Sequence, residues 1–133
     1  MRGRLVVVLA AIAMASVPLA AHHGSAAFET GTKVTLQGTV KSWTYMNPHC
    51  LLALDVKGED GTVVPWLVET QAPGIMFPAG YRKDSFKPGD DVTVIAYPYK
   101  NGRPLGHIVS VVTAGGWTLG GGGTDVPIPP ANK

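Results

Sequence analysis

The sequence holds a single cysteine, Cys50, so no disulfide can form within the chain. No paired Cys/His spacing of a structural zinc cluster is present either. Stability must therefore come from core packing. An excess of one charge is also missing. Two of the 11 basic residues, Arg2 and Arg4, lie at the extreme N-terminus, while all 9 acidic residues follow residue 21. From residue 22 onward the formal charge is zero with histidine neutral, and no basic cluster marks a nucleic-acid surface. The segments GTV, GHI and GGW offer no elbow-like serine for a hydrolase triad. No apolar run reaches the ~20 residues that span a bilayer, and no internal repeat is visible. These absences argue against a nucleic-acid binder, a serine hydrolase and a membrane-spanning helix.

What is present begins with a leader. Arg2 and Arg4 precede an apolar stretch from Leu5 to Val17, and Leu19-Ala20-Ala21 supplies small residues before a polar junction. This is the layout of a secretory signal peptide, with cleavage expected between Ala21 and His22. The expectation is a periplasmic or secreted protein with three parts. These are a signal peptide at 1–21, one domain at 22–119 and a flexible Gly/Pro-rich tail at 120–133.

Within the domain the dominant period is two. Val34, Leu36 and Val40 share one face of a first strand, with Lys33, Thr35, Gln37, Thr39 and Lys41 on the other. Beyond Lys41 the bulky residues shift to odd positions, Trp43 and Tyr45, which predicts a bulge or bend near Gly38. Leu52, Leu54 and Val56 mark a second strand, and Asp60-Gly61 a turn. Val64, Trp66, Val68 and Thr70 mark a third, with Pro65 placing part of it at an edge. Pro73 opens a short helical turn. Lys87-Pro88-Gly89-Asp90 then turns the chain into a fourth strand, and a fifth runs from about His107 to Thr113. Five strands with one helical turn between the third and fourth describe an all-β, OB-like barrel. A small open β-sandwich is the alternative.

Four segments fall in an order shared with a known group: AHHGSAAFE after the leader, V-x-L-x-GTV at 34–40, NPH at 47–49 and DSFKPGD-x-VTV at 84–94. The chain resembles the DUF6152 family, small exported bacterial proteins of unknown function, over about residues 21–119. The resemblance implies an exported β domain and supplies no activity. The family's aromatic after NPH and a small residue is here Leu51, and Cys50 stands in the small position.

Cleavage before His22 would create an α-amine, whose reference pKa is about 7.7–8.0, beside an imidazole with one near 6.5. Amine and Nδ1 of an N-terminal histidine chelate one ion, and a third nitrogen completes a set suited to Cu(II). His49 is the best third ligand, because Pro48 stiffens the turn that presents it. A purely structural role, in which Asn47 and His49 close that turn, is the alternative. His23 is an assisting ligand, while His107 and Cys50 are weaker ones. A thiolate from Cys50 would favour Cu(I), but a small buried residue is its commoner role. Glu69 is placed to accept from a ligand histidine or to face solvent. Trp43, Tyr45 and Trp66 are expected in the core, with sugar stacking as the competing role. The expected function is binding of a transition metal, copper foremost, without catalysis. The competing function is a non-metal ligand-binding or interaction module of the cell envelope.

Overall fold

A computed structural model describes residues 24–121. A 3-10 turn, Gly24–Ala27, leads to six strands: β1 Val34–Thr44, β2 Leu51–Lys57, β3 Val63–Glu69, β4 Asp91–Pro98, β5 Leu105–Val112 and β6 Thr118–Gly120. One helical turn, α1 (Pro73–Met76), stands between β3 and β4. The sheet order is β3-β2-β1-β4-β5-β6, and a parallel β3–β5 pairing joins the first five strands into a closed barrel. The all-β barrel and its single helical turn agree with the period-two reading.

Strand β1 belongs to both halves of the barrel. Residues 34–39 pair with β4, and residues 38–44 pair with β2. The register slips between Val40 and Ser42, leaving Lys41 as the bulged residue. That slip explains the change of phase in the sequence. Before it, Leu36 and Val40 point into the core; after it, Trp43 and Tyr45 pack against the same core. Gly38 is paired on both sides, with Val56 and Val92, and a Cβ there would lie 2.9 Å from the Asp55 carbonyl oxygen. A side chain at this crossing would force the strands apart.

The core consists chiefly of Leu36, Val40, Leu52, Leu54, Val68, Val94, Ile108 and Val111 from the walls, with Met76, Tyr81 and Phe86 from the β3–β4 connection. Full burial of each such aliphatic side chain contributes about 1.5–3 kcal/mol. Pro65 pairs only with β2, because β5 joins β3 from Leu67 onward. Its missing N–H therefore costs no ladder bond to β5.

Strand β6 departs from the expectation of five strands. Residues 118–120 pair with residues 110–112 of β5, beyond a turn in which Thr113 N–H donates to the Trp117 carbonyl at 2.8 Å. Three residues are too few to show alternation, and the flanking glycines resemble a linker. Strand β6 ends at Gly120. Leu119 packs against the core while Trp117 stays exposed. The remainder of the expected tail, from residue 122, and the expected leader lie outside the described residues.

Candidate functional site

The β1–β2 connection carries the NPH segment. It is fastened to parts of the chain remote in sequence. Cys50 N–H donates to the Gln71 carbonyl at 3.2 Å, and Thr70 N–H donates to the Cys50 carbonyl at 2.9 Å. Tyr45 hydroxyl lies 3.1 Å from the Pro73 carbonyl and 3.3 Å from that of Tyr81. These bonds extend the β2–β3 ladder outward and hold the loop against the segment leading into α1. The Asn47–Pro48 peptide is cis.

His49 is exposed, yet its ring is oriented. Nδ1 lies 2.9 Å from the Thr70 carbonyl oxygen. A carbonyl only accepts, so Nδ1 carries the proton and donates. In the neutral ring Nε2 then holds the lone pair. Metal-bound histidines use the same arrangement, in which one ring nitrogen donates to a fixed acceptor and the other ligates. The same bond also serves the structural alternative, since it fastens the loop to Thr70, although no Asn47–His49 side-chain bond is formed among the described residues.

The other candidates are placed differently. Cys50 is fully buried in the core cluster. Burial pushes its thiol pKa up, against smaller lowering effects from hydrogen bonds with the Thr70 side chain and the Met46 backbone. The thiolate needed for ligation is thereby disfavoured. Directly related to it is Tyr81, whose wholly buried hydroxyl has no hydrogen-bond partner. Burial, and then proximity to Cys50, raise that phenol far above its ordinary pKa.

His107 stands on β5 in register with Glu69 of β3. Its Nδ1 is 3.9 Å from the Glu69 carboxylate, too long for a hydrogen bond. Phe28 covers the imidazole with ring centroids 5.6 Å apart. Glu69 therefore faces His107 rather than His49. Phe28 also bridges to Tyr99 and stacks edge-on to its ring, so the N-terminal segment joins the barrel wall beside His107. His22 and His23 lie outside the described residues. Among the described residues, no group of three or more His, Cys, Asp or Glu side chains is placed to hold a metal ion.

The aromatic residues fall into the packing role. Trp43 meets Phe86, Tyr45 and Tyr81 with centroids 5.0–5.9 Å apart, and its Nε1 donates to the Arg82 carbonyl at 2.9 Å. Trp66 is half-buried and packs on the core from β3. Sequence reasoning missed a groove of about 410 Å³ on the outer wall, lined by Gln37, Thr39, Asp55, Lys57, Asp91 and Thr93. Two of its carboxylates already have partners: Asp55 pairs with Lys41 at 3.1 Å, and Asp91 accepts from Thr39 at 2.8 Å. It includes Lys57, at the end of β2 opposite His49.

A family model for DUF6152, described as a family of unknown function, matches residues 9–108. That span includes the NPH loop, α1 and four complete strands. No curated protein and no solved structure matches the chain.

Proposed function

We propose, for a chain that belongs to the DUF6152 family and takes no assigned activity from it, an exported copper-binding protein of the bacterial envelope. In this reading His22, made N-terminal by removal of residues 1–21, chelates the ion through its amine and Nδ1. His49 Nε2 adds the third nitrogen, and His23 assists. The protein binds the metal and catalyses no reaction.

The observation that carries this reading is the 2.9 Å contact between His49 Nδ1 and the Thr70 carbonyl. It fixes the tautomer and directs a free Nε2 from a loop held by long-range bonds. A preoriented ligand loses less freedom when it binds an ion than a ring on a mobile loop does.

The test begins with the intact mass of the exported protein, expected to correspond to a chain starting at His22. Cu(II) titration then compares that protein with a form acetylated at the His22 amine. Acetylation keeps every side chain and removes the amine–Nδ1 chelate without placing His23 third from a free terminus. Much weaker binding by the acetylated protein is the expected result. Equal affinity, or a natural terminus elsewhere, overturns the N-terminal site.

A further inference from the structure

We propose that the Met46 thioether is a metal ligand beside His49, so that the β1–β2 loop holds Cu(I) as well as Cu(II). The inference rests on the copper-binding reading of His49 and deepens it by naming a second donor and an oxidation state. It starts from the strand register. Beyond the bulge, Ser42 pairs with Ala53, Trp43 with Leu52 and Thr44 with Leu51. Two further steps along that register set Tyr45 opposite Cys50 and Met46 opposite His49, with Asn47 and Pro48 between them.

The side chains follow this alternation. Trp43 and Tyr45 pack on the core, and so do Leu52 and Cys50 across from them. The next pair therefore turns to the opposite face. Both of its members are exposed, Met46 at 59%. A hydrogen bond between the Met46 backbone and the Cys50 side chain keeps the two arms of the loop together. Residues directly opposite on one face have Cβ atoms about 4.5–5.5 Å apart, a separation that one ion bridges. His49 Nδ1 is engaged by the Thr70 carbonyl, which leaves Nε2 as its donor to that ion.

The donor set selects the metal. A thioether is a soft, neutral ligand that favours Cu(I), whereas hard divalent ions take carboxylate or carbonyl oxygen. Residues 42–54 contain no Asp, Glu, Lys or Arg, and Glu69 of β3 is turned to His107. No other sulfur can serve. From residue 22 onward the sulfur-bearing residues are Met46, Cys50 and Met76, and the last two are fully buried. Towards Cu(II) a thioether is a weak, long axial donor, so the nitrogen set proposed above carries that state.

The experiment measures Cu(I) affinity under anaerobic conditions, by competition with the chromophoric chelator bicinchoninate, for the exported protein and its Met46→Leu variant. Leucine approximates the volume and removes the sulfur, and unchanged near-ultraviolet circular dichroism shows that the variant is folded. Met46→Leu should bind Cu(I) at least about tenfold more weakly, since even an orienting partner of a ligand is worth that much. Its Cu(II) affinity should stay close to the parent's. X-ray absorption of the Cu(I)-loaded parent should show a sulfur neighbour that the variant lacks. Equal Cu(I) affinity in parent and variant, or a Cu(I) spectrum without sulfur, overturns the inference and leaves the Cu(II) reading standing. A parent that binds Cu(II) but no Cu(I) does the same. Loss of the N-terminal chelate argument, shown by equal Cu(II) affinity after acetylation, leaves the Cu(I) comparison to decide Met46 on its own.

Discussion

Two connections join neighbouring antiparallel strands along the same sheet, and they are built on opposite plans. The β2–β3 turn is closed by its own residues. Gly58 N–H donates to Thr62 at 2.8 Å, Asp60 accepts from the Thr62 N–H and hydroxyl at 2.9 Å each, and Gly61 takes φ +81°. In contrast, the β1–β2 loop relies on Thr70, Gln71, Pro73 and Tyr81, which lie 20 or more residues away. A self-closed turn only reverses the chain. A loop fastened by distant elements holds its side chains in positions that the barrel dictates, which is what the binding role proposed for His49 requires.

The largest expected break in this comparison is Tyr81→Ala. Tyr81 packs under the β1–β2 loop against Trp43 and Phe86, and its truncation should cost about 3–5 kcal/mol in chemical denaturation. Tyr81→Phe should be neutral or slightly stabilising, because it removes a buried hydroxyl that lacks a partner. A large loss in the Phe variant would show that the hydroxyl has a role the packing account omits.

Next in size is the loop's own fastening. His49→Ala removes one side-chain bond to the Thr70 carbonyl and should lower stability by about 1 kcal/mol. Amide exchange at Cys50 and Thr70 should accelerate more than at Gly58 and Gly61. Equal protection in parent and variant would mean that the backbone bonds alone hold the loop.

The smallest effect belongs to the self-closed turn. Bonds from the Thr62 backbone and hydroxyl hold the Asp60 carboxyl below its ordinary pKa. A depressed pKa contributes stability above the unfolded value of about 3.9, and that contribution is lost as pH falls through the folded pKa. Asp60→Asn should therefore lower the Tm slightly at neutral pH, and the difference should close under acid. A difference that widens on acidification would reverse the assigned direction.

The same contrast explains what could be read from the residues. Period two marks every barrel strand, and the phase change at Lys41 locates the bulge, because wall residues meet solvent on one side and core on the other. The Asp60-Gly61 turn was equally legible, since its bonds are local. Strand β6 was not, having three residues among glycines. At the site, His49 was legible through its prolyl neighbour, but its acceptor was not: Thr70 is 21 residues away and acts through its backbone. Glu69, the carboxylate the sequence suggested, faces His107 across the β3–β5 pair instead. For Cys50 the sequence already favoured burial over ligation. The structure puts Cys50 in the core and its neighbour His49 in solvent.

The most direct measurement is Cu(II) affinity of the exported protein beside its His49→Ala and His107→Ala variants, each first confirmed as folded. His49→Ala should bind about 10–100-fold more weakly, as losing a preoriented ligand costs at least as much as losing the group that orients one. His107→Ala should stay close to the parent, because its ring is half-buried beneath Phe28. Parent-like affinity in His49→Ala, or a loss confined to His107→Ala, would contradict the account.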